Sequence, residues 1–268
     1  MRVPGRVSGG RRLTILPWED LAPLRDPPSA LTIGVFDGIH LGHQRLIAQV
    51  VGGPPGTAPV VCSFRQNPAL VLGSRPVPGS ILSLRQRCRK FESLGVRYLV
   101  LIDFSIEISK LTGADFFAIL ERAFDIRRLV VGYNFHMGRG RATGIHELES
   151  LLRPARTQLT VVPAAYHRNR VVSSSRVREA IVDARFQEAR EMLGEAYCLD
   201  LEQTEPAVRG AVACVPRRLI AQVLPPAGSY CVELRGGGRT TPARLTLTGD
   251  ALEWEASAGP VSEICFSD

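Results

Sequence analysis

No run of apolar residues in this chain reaches the roughly 18–20 that a membrane-spanning helix needs, so it is not expected to cross a bilayer as a helix. None of its six cysteines (62, 88, 198, 214, 231 and 265) stands in a C-x-x-C pair. Neither a zinc site nor a disulfide framework is indicated, and reduced, mostly buried thiols are expected. The positive side of a formal net charge of +7 is almost all arginine, with lysine only at 90 and 110. The P-loop signature G-x-x-x-x-G-K-[ST] is absent, which points away from P-loop phosphotransfer. Aromatics make up 6%, and the arginines are scattered among acids without a dense run, which argues against nucleic acid as the partner. The opening MRVPGRVSGGRR leads into no apolar segment of signal-peptide length, so it reads as a disordered tail and the protein as cytoplasmic.

What is present is an ordinary globular composition, 45% hydrophobic and 22% charged, over 268 residues. Apolar runs bounded by breakers alternate with helical periods. LTIGVFD (31–37) reads as a strand, the segment from Gln44 as a helix, and PVVCSF (59–64) as a strand. The Pro/Gly/Ser-rich 65–80 reads as a long loop and a candidate substrate flap. A helix at 84–94, a strand in VRYLVLIDF, a helix at 113–124, the strand 127–135, a helix from 145 and the strand 158–164 follow. Two short helices come next, after the serines at 173–175 and at 185–193. This alternation predicts an α/β fold with a parallel, doubly wound sheet. From about 200 the helical period is lost, and short alternating runs separated by GGG and GD turns predict antiparallel hairpins. The expected organisation is therefore residues 1–199 as one domain and 200–268 as a small antiparallel β module.

Open parallel sheets bind ligands at the carboxyl ends of their strands. There the sequence places Asp37-Gly38-Ile39-His40-Leu41-Gly42-His43, with His40 on a loop and His43 at a helix start. Two imidazoles beside free helix N–H groups make a phosphate cradle. Ordinary loop histidines are the plain alternative, and a metal pair is disfavoured because no third ligand accompanies them. VVSSSRVREAI (171–181) sets serine hydroxyls, Arg176 and Arg178 at a second helix start. A helix cap accounts for the serines alone, whereas the added guanidinium groups suit a second phosphate. VGYNFHMGRGRATG (131–144) runs from a strand into a Gly/Arg loop, with Asn134 at the strand end. Without a P-loop these features point to nucleotidyl transfer, which needs positioning and charge neutralisation more than a protein nucleophile.

TIGVFDGIHLGHQRLI (32–47), FSIEISKLTGADFF (104–117), VGYNFHMGRGR (131–141), VSSSRVREAI (172–181) and AREMLGEAYCL (189–199) together resemble the bacterial FAD synthetase family. This is the FMN adenylyltransferase module, often fused to a riboflavin kinase, with a Rossmann-like nucleotidylyltransferase fold. The resemblance implies transfer of AMP from ATP to FMN, giving FAD and pyrophosphate with Mg²⁺ on the phosphates. It implies nucleotide contacts from Gly34, Phe36, Asp37, Gly42, Asn134, Ser174 and Ser175, catalytic roles for His40, His43 and Arg178, and a metal contact from Asn134. The family's F-D-P-H-P loop is replaced by Phe64-Arg65-Gln66-Asn67-Pro68, which makes Phe64, Arg65, Asn67 and Pro68 the expected FMN loop, with Arg65 toward the FMN phosphate. GAVACVPRRLIAQVLPPAGSYCVEL (210–234) resembles the first strands of the kinase module, but the Pro-Thr-Ala-Asn signature is absent. Residues 200–268 are also short for a working kinase, so they are expected to be a β-barrel remnant without kinase activity. A nucleotidylyltransferase with another phosphate acceptor, and a non-catalytic flavin-nucleotide sensor, stay open as alternatives.

Overall fold

The computed structural model describes residues 12–73, 78–152, 155–256 and 259–267. The expected N-terminal tail lies almost wholly outside these residues, as do 74–77 of the expected flap. The chain divides into two compact units, the first comprising the described residues up to Phe36, 43–73 and 88–164, the second 37–42, 78–87 and 165–267.

The first unit is built on six parallel strands: β1 (Thr14–Pro17), β2 (Leu24–Ile33), β3 (Ala58–Phe64), β4 (Tyr98–Ile102), β5 (Phe124–Gly132) and β6 (Gln158–Val162), in the order β1-β4-β3-β2-β5-β6. Every neighbouring pair is parallel. Parallel strands are buried on both faces, which is why their sequences are near-continuous apolar runs. Chain order reverses across β2, and the register Thr32↔Val130 sets the carboxyl ends of β2 and β5 at the same level. Helices α1 (Leu41–Val51), α2 (Pro68–Val71), α3 (Leu84–Ser93), α4 (Ile106–Ser109), α5 (Gly113–Ala123) and α6 (Ile145–Leu151) connect the strands. Alternate residues of β2 serve opposite faces. Leu31 and Ile33 pack with Phe116, Phe117 and Leu120 of α5 and Leu148 of α6, whereas Ala30 packs with Leu46 and Val50 of α1. The doubly wound sheet read from the alternation is therefore present.

Several local expectations change. β2 ends at Ile33 rather than at Asp37, because Phe36 adopts a left-handed φ of 50° that an extended strand does not allow. The expected long loop at 65–80 contains α2, opened by Pro68, whose fixed φ suits a first helical position, and capped by the Asn67 side chain, which accepts from the Ala69 N–H at 3.0 Å.

In the second unit a hairpin, β7 (Tyr166–His167) and β8 (Arg170–Val171), precedes α7 (Ser174–Val182) and α8 (Phe186–Leu193). Seven strands follow: β9 (Cys198–Asp200), β10 (Ala207–Arg209), β11 (Val212–Pro216), β12 (Gly228–Gly236), β13 (Arg239–Leu247), β14 (Ala251–Glu255) and β15 (Glu263–Phe266). They form one antiparallel sheet in the order β10-β11-β14-β13-β12-β15-β9, as the hairpin signals predicted. Phe266 of β15 stacks on Phe186 of α8 with centroids 4.3 Å apart, and Tyr197 and Tyr230 complete this aromatic cluster. Not all six cysteines are reduced thiols, contrary to expectation. The register of β9 and β15 sets Cys198 opposite Cys265, and the two form a disulfide. Cys62, Cys88, Cys214 and Cys231 are not disulfide-bonded.

Candidate functional site

The first unit presents its candidate residues at the carboxyl edge of the sheet, where chain order reverses and ligands bind in such folds. Gly34 follows β2 and continues its pairing through an N–H to the Cys62 carbonyl, 3.1 Å. A Cβ on Gly34 would lie 3.0 Å from the Phe36 ring, so glycine lets that ring fold under the turn. Phe36 is fully buried, edge-on to Phe91, and packs against the His43 imidazole with centroids 5.0 Å apart. Its left-handed backbone is an uncommon state for a bulky residue, and such states concentrate at functional turns. The Ser63 hydroxyl donates to the Val35 carbonyl at 3.0 Å and braces the turn. His43 is the third residue of α1. Asn134 is exposed two residues beyond the end of β5, at the same edge as Gly34.

The expected FMN loop also belongs to this unit. Phe64 ends β3 and meets Phe104 edge-to-face. Arg65 is exposed and stands 3.5 Å from Asp103, itself exposed, a pairing that solvent holds to well under about 1 kcal/mol. The Asn67 carbonyl oxygen is engaged as the α2 cap, and Pro68 opens that helix.

In the second unit the central feature is a buried ion pair that the sequence did not join. Asp37 and Arg178 are 141 residues apart, and their side chains are paired. The Asp37 Oδ1 also accepts the Ile81 N–H at 3.1 Å, and Arg178 Nε donates to the Gly79 carbonyl at 3.1 Å. Burial pushes the Asp37 carboxyl up, while Arg178, the Ile81 N–H and the charge of Arg87 pull it down. The net direction is upward. A guanidinium in contact stabilises the carboxylate form and opposes that push.

His40 immediately precedes α1 and is only 6% exposed, and burial pushes its pKa down to about 4. At neutral pH it is an uncharged imidazole that can donate one hydrogen bond, not the cation that a purely charge-neutralising cradle would use. Its ring folds over Gly42, where a Cβ would lie 3.2 Å away.

Ser173, rather than Ser174 or Ser175, caps α7, accepting the Arg176 N–H at 3.3 Å. Ser174 and Ser175 therefore occupy the first helical turn, whose N–H groups favour an anion. Arg176 is turned away from that turn. Its guanidinium donates to the Arg170 and Val171 carbonyls at 2.9 Å and pairs with Glu188, so it clamps the hairpin to α8 and does not join Arg178. Among the described residues no three His, Cys, Asp or Glu side chains gather to hold a metal, and no helix is long and apolar enough to cross a membrane.

Comparison with known proteins agrees with this geometry. A sequence model described as FAD synthetase matches residues 23–176, from β2 into the start of α7. A bifunctional riboflavin kinase/FMN adenylyltransferase of Listeria monocytogenes is 27% identical over 224 residues, covering 80% of this chain and 70% of that relative. An FAD synthetase of the same organism is 29% identical over 180 residues, covering 66% of this chain and 73% of its own length. A crystal structure described as a macrolide-efflux protein from Streptococcus pneumoniae superposes with a TM-score of 0.78 at 22% identity, covering 95% of this chain and 89% of its own, and shows the shared fold alone. The family's model spans the strand-end turn, the Asn134 edge and the serines that open α7 together, and on that extent the chain belongs to the FAD synthetase family of nucleotidyltransferases.

Proposed function

We propose that the chain is an FMN adenylyltransferase without riboflavin kinase activity. A phosphate oxygen of FMN attacks the α-phosphorus of ATP, the bond from that phosphorus to the bridging oxygen breaks, and FAD and pyrophosphate result. The observation that carries this reading is the family match across 23–176, which takes in both histidines, Asn134 and the serines of α7.

His40, neutral and buried, donates a hydrogen bond to a non-bridging oxygen of the reacting phosphate, and His43 on the first turn of α1 assists with the helix N–H groups. Gly34, Phe36, Asp37 and Gly42 shape the turn that the nucleotide approaches. Ser174 and Ser175 offer hydroxyl and backbone donors to the triphosphate at the start of α7. Arg178, held by Asp37 and the Gly79 carbonyl, neutralises charge on the departing pyrophosphate. Phe64, Arg65, Asn67 and Pro68 line the FMN side, with Arg65 exchanging Asp103 for the FMN phosphate.

Magnesium fits as a passenger of the nucleotide. The described residues make no carboxylate cage, and Mg²⁺ commonly binds through substrate phosphates with few protein ligands. The Asn134 amide oxygen is the protein contact we assign it, where a bound Mg²⁺ would supply charge neutralisation to the phosphates. A cytoplasmic location accompanies this activity.

Residues 200–268 carry no Pro-Thr-Ala-Asn sequence, which supports reading them as a kinase-derived module that does not phosphorylate riboflavin. A panel of acceptors tests the assignment. FMN should be adenylylated, whereas nicotinamide mononucleotide and phosphopantetheine should not. Preference for either of those would replace the acceptor while keeping the reaction class, and ATP binding with no transfer to any acceptor would mark a sensor.

A further inference from the structure

The C-terminal sheet has no part in the chemistry above, yet a chain of contacts inside the second unit runs from it to the Asp37–Arg178 pair. Residues 79–82 form a strap over that pair. The Gly79 carbonyl accepts from Arg178 Nε, the Ile81 N–H donates to Asp37 Oδ1 at 3.1 Å, and the Leu82 N–H donates to the Asp37 backbone carbonyl at 3.3 Å. The strap is held in turn by residues 221–223. Ser80 N–H donates to the Ala221 carbonyl at 3.1 Å, and Val223 N–H to the Ser80 carbonyl at 2.9 Å, a short parallel bridge. Gln222, 5% exposed, lies at its centre. Its amide nitrogen donates to Ile81 O (2.9 Å), Cys198 O (3.0 Å) and Gln86 Oε1 (3.1 Å), and its oxygen accepts the Asp200 N–H at 2.7 Å. There is no slack in the contact. Gly79 has φ +124°, and a Cβ there would fall 2.8 Å from the backbone at Gln222 and Val223.

We propose that Gln222 is a positioning residue for adenylyl transfer, and that the C-terminal module serves the reaction by fixing the strap that orients Arg178 through Gly79 and Asp37. The inference rests on the nucleotide role given to Arg178 above. A buried glutamine with all its groups engaged cannot be replaced by an apolar side chain without taking away the side-chain partners of the Ile81 carbonyl and the Asp200 N–H, while the Cys198 carbonyl keeps its bond from Gln86 Nε2. A guanidinium released from a fixed carbonyl loses pre-organisation, and small misplacements cost rate steeply.

The test uses the full chain and three variants: Gln222→Met, which keeps the volume, Gly79→Ala, which wedges the strap from the other side, and Leu252→Ala, a buried change in β14 away from the strap. Gln222→Met and Gly79→Ala should each lower kcat for FAD formation about tenfold or more with KM for FMN within about twofold, and should speed amide exchange in 79–82 about tenfold. Leu252→Ala should lower the melting temperature but leave the kinetics and the strap's exchange unchanged. In a double-mutant cycle, Gln222→Met should add little to Asp37→Asn. Unchanged kcat in the strap variants, or an equal fall in Leu252→Ala, overturns the inference. If Gln222→Met fails to fold, Gly79→Ala decides alone. Should the wild-type chain make no FAD, the proposed activity fails instead. ATP affinity then tests the strap, which requires a loss of about fivefold or more in the strap variants relative to Leu252→Ala and is overturned without one.

Discussion

His40 shows how burial selects the chemistry a side chain offers. With its pKa near 4, it titrates below the ordinary imidazole range, so in the pH window from about 6.5 down to 4 the unfolded chain takes up a proton that the folded chain refuses. Stability therefore rises with pH across that window and falls on acidification, by up to about 3 kcal/mol from this residue alone. Urea midpoints measured between pH 7 and 4.5 should show a shallower slope for His40→Gln than for wild type, and equal slopes would contradict the buried, neutral imidazole. His43 makes a different prediction. It packs against Phe36 on the first turn of α1, and His43→Ala should lower turnover at least about 10²-fold, the size expected for one pre-organised donor, with little change in melting temperature. A near-normal rate would remove it from the phosphate site. Arg65 sits in a solvent-exposed pairing with Asp103, so Arg65→Ala should raise KM for FMN several-fold with stability unaltered.

At the scale of elements, the loop after Asn134 owes its shape to close backbone approach. Gly138 has φ +74°, and a Cβ there would lie 2.5 Å from the Gly113 nitrogen, while a Cβ on Gly113 would overlap Thr143. Gly138→Ala should therefore destabilise the first unit by about 2 kcal/mol or more, read as a lower urea midpoint with unchanged m. The elements themselves were largely legible. Runs such as PVVCSF and QLTVV are apolar, of strand length and bounded by breakers, and the Gly-closed helix before Gly95 and the serine start of α7 carry recognisable end signals. What escaped the reading depended on tertiary partners. β1, TILP, is a short, mostly exposed edge strand that pairs with β4. α2 lies inside a Pro/Gly-rich stretch and is stabilised by one Asn67 cap. The residues of the site were likewise legible as types, but not their alliances. The Asp37–Arg178 pair joins positions 141 apart, and Arg176, two residues from Arg178, points to the hairpin because helix geometry sets neighbouring side chains on different faces. The Cys198–Cys265 bridge needs a strand register that spacing cannot supply.

Across the whole molecule, a parallel sheet comes first in the chain and an antiparallel sheet follows it. The parallel sheet and its turns carry the family's sequence, and the antiparallel sheet lacks the kinase signature while its neighbouring residues hold the strap at 79–82. The account therefore expects one activity from the whole chain. Purified protein should be incubated with ATP and Mg²⁺ and either FMN or riboflavin, and the flavins separated. FAD from FMN in step with pyrophosphate release, with no FMN from riboflavin, is the predicted result. Conversion of riboflavin to FMN would contradict the proposed lack of kinase activity, and absence of FAD from FMN would contradict the central assignment.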